Sequence, residues 1–142
     1  MATPSPFSFW FLNRMANPVL RHLLRTPLGR RPGRRLAALR YHGRTSGRLH
    51  ELVVMYVRVA DTLWVMVGWP ERKRWWRNLV DAAPVELWIS GRHVHGSAVV
   101  LQPGDRDDER LAGFAAYTAV FPKAPGPAAD AVMVKVVLDG EA

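Results

Sequence analysis

The spacing of apolar residues follows a helical period at the start of the chain and an extended period further on. Over residues 11–24, apolar side chains recur on one helical stripe and arginines on another. Pro18 disfavours helical geometry at Asn17, so a kink or a new helix start is predicted there. A connector rich in Pro, Gly and Arg follows. We therefore expect a basic amphipathic helix and connector over residues 1–35, and one folded domain over residues 36–142.

Six stretches of the remaining chain are predicted as short strands, of which residues 50–59 and 63–68 are apolar and β-branched. The six stretches are residues 36–42, 50–59, 63–68, 85–90, 93–101 and 131–138. Turn residues predict two hairpins, at Ala60–Thr62 and at Gly91-Arg92. Short strands joined by hairpins, with helices between them, favour an antiparallel β-barrel or sandwich of the α+β class over a parallel sheet.

Two further helices are predicted among these strands. The segment after Pro70 has the pattern of a short helix that begins at an acidic residue and ends before Pro84. The other lies within residues 103–121, with acidic residues at its positive end. Its periodicity places four side chains along one side: Leu111, Phe114, Ala115 and Thr118.

Positive charge is concentrated in the first third of the chain. The 142 residues have a formal net charge of +8, from 20 Lys+Arg and 12 Asp+Glu. Residues 1–50 hold ten arginines and no acidic residue, whereas residues 51–142 hold ten basic and twelve acidic residues. This asymmetry indicates a negatively charged partner, such as nucleic acid, anionic lipid or a phosphorylated cofactor. No DNA- or RNA-binding motif accompanies the arginines, so we expect no nucleic-acid partner.

Cysteine is absent, which excludes disulfide frameworks, thiolate nucleophiles and cysteine-based zinc sites. No apolar run reaches the roughly 18 to 20 residues of a membrane span, and the apolar opening lacks the features of a signal peptide. A cytoplasmic protein is therefore expected. For the basic first helix there are two alternatives: peripheral contact with the inner face of an anionic membrane, or cover for the open end of the barrel.

A glycine-bracketed loop, Gly43 to Gly47, connects the first two predicted strands. Its glycines allow backbone geometries closed to other residues, so successive N–H groups can form an anion-binding nest. Arg44 adds a fork of donors and Ser46 a hydroxyl. The alternative is an ordinary polar hairpin turn, because Gly, Ser and Thr are common in turns for conformational reasons alone.

The segment from Gly68 to Leu79 places three tryptophans among four cations: Trp69, Trp75, Trp76, Arg72, Lys73, Arg74 and Arg77. Such a mixture suits a large planar anionic ligand, since the rings offer stacking area and the cations neutralise its acidic groups. A surface helix with its tryptophans in the core is the alternative. Helical spacing separates Trp75 from Trp76, so we assign Trp75 to the core, and Trp69 and Trp76 to the ligand.

His93 and His95 are two residues apart on a predicted strand and therefore point the same way, as two metal ligands would. No third ligand stands nearby in a recognisable sequence pattern, so a polar sheet face is favoured and no metal site is expected. No nucleophile-elbow pattern supports Ser-His-Asp chemistry.

Taken together, the Gly-Arg-Thr-Ser-Gly loop at residues 43–47 and the Trp-Trp-Arg-Asn-Leu run at residues 75–79 resemble the deazaflavin-dependent nitroreductase family, also called the nitroreductase/quinone reductase family. The similarity extends from about Asn17 to Leu138. It implies a split β-barrel related to the FMN-binding fold, with six antiparallel strands and flanking helices. It also implies that coenzyme F420, a 5-deazaflavin, is bound, with FMN as the alternative.

The resemblance implies which residues form the site. Four consecutive loop residues would contact the coenzyme's phosphate and tail: Arg44, Thr45, Ser46 and Gly47. Met55, on the following strand, would border its ring. The second cofactor segment would consist of Gly68, Trp69, Arg72, Lys73, Trp75, Trp76 and Asn78. Tyr117 is the candidate catalytic residue, with ordinary packing of an amphipathic helix as its alternative role.

Members of this family transfer hydride from the reduced coenzyme to quinones, nitroaromatics or other electron-poor compounds. The resemblance therefore implies an oxidoreductase that acts on a small-molecule acceptor, as a monomer or homodimer. The alternative is a non-catalytic split-barrel protein that binds a flavin, haem-like or lipid ligand. That alternative arises because the late helix ends in Phe121-Pro122, where members of one branch of the family have Tyr-Pro.

Overall fold

The computed structural model describes residues 36–67, 70, 73–104, 106–124 and 131–141. The predicted first helix and its membrane contact lie outside these residues. Seven strands form one antiparallel sheet: β1 (Leu36–His42), β2 (Leu49–Met55), β3 (Val57–Val59), β4 (Thr62–Val67), β5 (Ala83–Ile89), β6 (Arg92–Leu101) and β7 (Val132–Glu141). A 3-10 helix (Trp75–Leu79) precedes β5, and helix α1 (Asp107–Val120) lies between β6 and β7.

The strand order across the sheet is β2-β1-β5-β6-β7-β4-β3. The two edge strands, β2 and β3, are consecutive in the chain and only Tyr56 separates them. The two edges must therefore meet at Tyr56, and the sheet curls into a barrel that is split at this point. The antiparallel split-barrel class predicted from the sequence is confirmed. The count of strands is seven rather than six, because the predicted strand 50–59 leaves the ladder at Tyr56 and is divided in two.

Both predicted hairpins are present, and both have two-residue turns. In the first, Val59 pairs with Thr62, and Ala60 adopts a φ of 54°. In the second, Ile89 pairs with Arg92, so the turn is Ser90-Gly91, one residue earlier than predicted. The φ values of Ser90 and Gly91 are 53° and 80°, and this backbone geometry matches the right-handed twist of the flanking strands.

The inner face of the barrel holds the main core, in which Leu39, Leu63, Leu79 and Leu87 are fully buried. Each of these leucines contributes about 1.5 to 3 kcal/mol of apolar transfer free energy. Alternation along β1 sends neighbouring side chains to the outer face, where Ala38 packs with Val53 in a smaller cluster. The two faces of this part of the sheet therefore have separate side-chain environments.

Helix α1 packs against the outside of β4 through a face that differs from the predicted one. Its buried residues are Arg110, Gly113, Phe114 and Tyr117, whereas Leu111 is 49% exposed. Gly113 explains the rotation, because a Cβ at this position would lie 2.5 Å from Cε3 of Trp64. The helix thus places Gly113 against the Trp64 indole and leaves Leu111 exposed to solvent.

The predicted helix after Pro70 is shorter than expected. Among the described residues of this segment, helical geometry is confined to the 3-10 turn Trp75–Leu79. Residues 73 and 74 precede it without helical structure. A 3-10 helix repeats every three residues rather than every 3.6, so side-chain directions inferred from α-helical spacing do not apply here.

Candidate functional site

The loop between β1 and β2 is an exposed turn closed by its own backbone. The Gly43 N–H donates to the Arg48 carbonyl at 2.7 Å, and the Gly47 N–H donates to the Gly43 carbonyl at 2.9 Å. Inside the turn, the Arg48 N–H donates to Ser46 Oγ at 3.1 Å. Arg44, Thr45 and Ser46 are all exposed. The loop is therefore a defined turn that presents three polar side chains to solvent.

Each bracketing glycine has its own structural reason. Gly47 has a φ of 69°, in the left-handed region that favours glycine, and among the described residues no atom lies within 4 Å of a Cβ built on it. At Gly43 a Cβ would lie 2.7 Å from Ser46 Oγ, so a larger residue there would displace that hydroxyl. Open space beside Gly47 leaves the backbone there accessible to a ligand.

Asn78 joins the loop to the 3-10 helix. Its side-chain Oδ1 accepts a hydrogen bond of 2.8 Å from the Arg44 backbone N–H, across 34 positions of sequence. Its Nδ2 donates to the Trp75 carbonyl at 3.0 Å. The Asn78 amide thus accepts a hydrogen bond from the loop through its oxygen and donates one within the 3-10 helix through its nitrogen. The loop and the tryptophan segment, separate in sequence, are held together at this point.

Aromatic rings lie beside this junction. Tyr41 on β1 stacks on His50 of the paired strand, with ring centroids 5.4 Å apart and an angle of 26° between the planes. The Trp75 ring lies 6.3 Å from Tyr41 on another side. Burial raises the pKa of Tyr41. We refer to Tyr41, Arg44, His50, Trp75 and Asn78 as the loop cluster.

Tyr41 and His50 are members of the loop cluster that the predicted site does not include. Their relation depends on the register of β1 and β2, which pairs the two residues directly. The β1–β2 hairpin and its turn can be predicted from the sequence. Residues on the two strands at equal distances from the turn pair with each other, and this rule could have identified Tyr41 and His50 as neighbours.

The two adjacent tryptophans differ from the expectation in their burial. Trp76 is buried at 7% exposure in the main core, and its indole N–H donates to the Pro70 carbonyl at 2.9 Å. Trp75 is only partly buried and packs at the edge of the same core. The main-core position expected for Trp75 is therefore held by Trp76, because the expectation assumed α-helical spacing in what is a 3-10 turn.

Cationic side chains occur in both segments that form the loop cluster. Arg44 and Arg48 are exposed, and Lys73 lies half-buried just before the 3-10 helix. Burial lowers the pKa of Lys73, because a partly desolvated ammonium is less stable in its charged form. The Arg77 guanidinium lies over the Trp76 ring, 5.4 Å from its centroid.

Other predicted site residues are placed elsewhere. Met55 ends β2 six residues after Leu49, about 20 Å from the loop at the usual rise per residue. Strand alternation puts its side chain on the outer face with Val53, whereas His50 is on the other face.

Three predicted cofactor residues lie outside the described part of the chain: Gly68, Trp69 and Arg72.

Tyr117, the predicted catalytic residue, belongs to the cluster between α1 and the sheet. It is 5% exposed and packs with Phe114 and Trp64, and its ring centroid lies 5.0 Å from that of Phe121. Burial raises the pKa of Tyr117 to about 12. This environment fits the packing role given as its alternative, since a phenol that is sealed from solvent is poorly placed to meet an acceptor.

Solved structures with a similar fold share little sequence with this chain. One is described as a domain-swapped dimer, with 15% identity, a TM-score of 0.55, and coverage of 72% of this chain and 80% of that one. HutZ, the haem storage protein from Vibrio cholerae, has 13% identity, a TM-score of 0.52, and coverage of 77% and 84%. Atu2129 from Agrobacterium tumefaciens, a protein of unknown function, has 18% identity, a TM-score of 0.52, and coverage of 100% and 59%. At these identities the likeness shows the fold alone.

In the part of the chain that the structure describes, no helix has the length and apolar character needed to cross a membrane.

A comparison with curated proteins found no match. The model of one protein family, described as F420H(2)-dependent quinone reductase, matches residues 12–123. This match covers most of the chain, including the Gly-Arg-Thr-Ser-Gly loop and the tryptophan segment. The chain therefore belongs to the F420H2-dependent quinone reductase family.

Proposed function

We propose that this protein is an oxidoreductase that transfers a hydride from reduced coenzyme F420 to a quinone, a nitroaromatic or a similar conjugated acceptor. The observation that supports this most directly is the hydrogen bond from the Arg44 N–H to Asn78 Oδ1. It unites the two sequence segments that resemble cofactor-binding segments of the family. Family membership supports the coenzyme, since the matching family is described by its dependence on F420H2.

The residues of the loop cluster fit the parts of this coenzyme, which has a flat tricyclic ring and an anionic tail. In the proposal, the exposed turn holds the phosphate and tail through Arg44, Thr45, Ser46 and the accessible backbone at Gly47. The partly exposed Trp75 ring offers apolar surface for the coenzyme ring, and the buried Tyr41 ring lies 6.3 Å from it. Lys73, two residues before Trp75, adds a cation to the same segment.

In the proposed reaction the bound coenzyme supplies the hydride. The protein's own residues bind and orient it. Asn78 fixes the loop relative to Trp75, so that tail and ring are held at a set separation. Trp76 is buried in the core and holds the 3-10 helix in place, since its indole N–H donates a hydrogen bond to the Pro70 carbonyl. We assign Tyr117 to packing of α1. FMN has no support from the family match.

A fluorescence titration with oxidised F420 tests coenzyme binding. The Asn78→Leu variant lacks both hydrogen bonds of the side-chain amide. We expect its affinity for F420 to fall by about tenfold or more, since two hydrogen bonds of about 1 kcal/mol each are removed. Thr118→Val is the matched control, because it removes a bond of the same 2.8 Å length, to the Phe114 carbonyl, within α1. Its affinity should match the wild type. Absence of F420 binding to the wild type, or equal affinity in Asn78→Leu, would contradict the proposal.

Turnover separates an enzyme from a non-catalytic binding protein. Oxidation of F420H2 with menadione as acceptor should be catalysed by the wild type and be slower in Asn78→Leu at subsaturating coenzyme. A nitroaromatic acceptor in the same assay tests the finer question of acceptor class. Binding of F420 without turnover of either acceptor would favour the alternative of a split-barrel protein that only holds its ligand.

A further inference from the structure

Strand pairing assembles three potential metal ligands on the outer face of the sheet. In the β5–β6 hairpin, Glu86 pairs with His95, and Trp88 pairs with His93. Glu86 Oε2 lies 3.1 Å from His93 Nε2, and Glu86 Oε1 lies 4.0 Å from His95 Nε2. One ligand atom from each residue can be chosen so that all three lie within 4.8 Å of one another. We refer to Glu86, His93 and His95 as the outer triad.

The outer triad is held by its neighbours. The Trp88 ring stacks on His93 at 4.4 Å with an angle of only 7° between the planes, which fixes the direction of the imidazole. The two imidazoles meet edge to face, 4.9 Å apart. A register shift between His95 and Gly96 interrupts the ladder with β7. Irregularities of this kind redirect side chains along a strand.

Arg40 on β1 forms the boundary of the outer triad. Its guanidinium lies 4.6 Å from the Trp88 ring centroid. Two of its nitrogens donate to Glu51 Oε2 at 3.2 Å each. Its third nitrogen is 3.6 Å from Glu86 Oε2, beyond the reach of a strong hydrogen bond. Arg40 is therefore engaged mainly by Glu51, and among the described residues it lies farther from the Glu86 carboxylate than His93 Nε2, which is 3.1 Å away.

We propose that the outer triad binds a divalent cation of the zinc class, with a water molecule in the fourth position. Two imidazole nitrogens and one carboxylate oxygen are a donor set that zinc uses when one position stays open. Ligand atoms about 2.1 Å from a tetrahedral zinc lie about 3.4 Å from each other, so the outer triad needs only small side-chain rotations to close around the ion. The side chains are 36% to 45% exposed, which leaves an entry path from solvent.

The site would join two strands of one hairpin and would stabilise the folded chain in proportion to the free zinc concentration. It lies on the outer face, whereas Tyr41 and His50 point to the inner face. The competing explanation is a simple ion pair between Glu86 and protonated histidine, and it predicts no metal binding. The two explanations are distinguished by titration with zinc.

The test uses the full chain without an affinity tag, in competition with a chromophoric chelator for zinc. We expect one zinc per chain and an increase in the thermal unfolding midpoint with added zinc. Zinc affinity should fall at least about tenfold in His93→Ala and in Glu86→Gln, by analogy with the loss seen when supporting residues of metal sites are changed. His42→Ala, which removes an exposed histidine from the end of β1, is the matched control and should bind zinc as the wild type does.

Zinc affinity equal to that of the wild type in His93→Ala and Glu86→Gln would overturn the proposal, as would absence of zinc binding to the wild type. Equal competition by magnesium would overturn the assigned class of metal, because magnesium prefers oxygen ligands in octahedral geometry. None of these outcomes depends on F420, so failure here is distinct from failure of the proposed oxidoreductase function.

Discussion

The loop cluster and the cluster beneath α1, which contains Trp64, Phe114 and Tyr117, hold similar residues, but the loop cluster is the more exposed of the two. Both hold a tyrosine beside a tryptophan or phenylalanine. In the loop cluster, His50 and Arg44 are exposed and Trp75 is only partly buried. Beneath α1, Phe114 is 2% exposed, and Gly113 brings the helix backbone close against Trp64. An aromatic residue is available to a ligand in the first region and serves packing in the second.

This difference shows that residue type alone did not identify the site. Tyr117 fits the expectation of a reactive phenol by chemistry, yet its pKa of about 12 and its burial belong to a structural residue. Trp75 was expected in the core and is instead partly buried and packed against it. The comparison between the two clusters can be tested by variants that affect one and spare the other.

The largest expected effect is the loss of stability in Phe114→Ala. Truncation of a buried phenylalanine should cost about 3 to 5 kcal/mol in the free energy of unfolding, from lost burial and the cavity left behind. Urea denaturation measures this cost. F420 affinity of the folded protein should stay unchanged, because Phe114 lies in the cluster beneath α1.

Trp75→Ala is the matched variant in the loop cluster. It should destabilise the fold by less, about 1 to 2 kcal/mol, because the ring is only partly buried. It should also weaken F420 binding by about tenfold through loss of stacking surface. Equal losses of F420 affinity in the two variants would contradict the separation of the clusters.

The second prediction concerns alkaline pH. The folded-state pKa of Tyr117 is raised from 10.0 to about 12, so its contribution to stability is complete below pH 10 and is lost as the pH rises toward 12. Between pH 9 and 11, the wild type should lose about 1.4 kcal/mol more stability than Tyr117→Phe, which has no phenol to ionise. Urea denaturation at both pH values provides the measurement. Parallel pH dependence in the two proteins would show that Tyr117 is not sealed as described.

The smallest expected effect comes from two glycines. Gly47 and Gly104 have φ values of 69° and 87°, and a Cβ on either meets no described atom within 4 Å. Alanine at either position should cost about 1 kcal/mol, for conformational reasons alone. Only Gly47→Ala should weaken F420 binding, since Gly104 precedes α1. Loss of F420 affinity in Gly104→Ala as well would point to a general effect of lowered stability.

Much of the fold was predictable because barrel strands carry their pattern locally. Apolar, β-branched runs and turn residues located every strand to within a few residues. The division of the predicted strand 50–59 at Tyr56 was not predictable, because it follows from where the two sheet edges meet. The helix after Pro70 was predicted from a composition compatible with an α-helix, whereas residues 73–79 as described contain only the 3-10 turn Trp75–Leu79, with Trp76 buried in the core.

The sequence by itself determined the class of fold, the loop at residues 43–47 and the tryptophan segment, since these depend on local periodicity and on a recognisable motif pair. Only the tertiary structure decided which side chains meet. The bond between Arg44 and Asn78 spans 34 positions, and Glu86 comes to His93 and His95 through the pairing of β5 with β6. Such contacts depend on register and on which face each residue occupies. A shift of one residue moves a side chain to the opposite face of a strand, so local patterns cannot specify them.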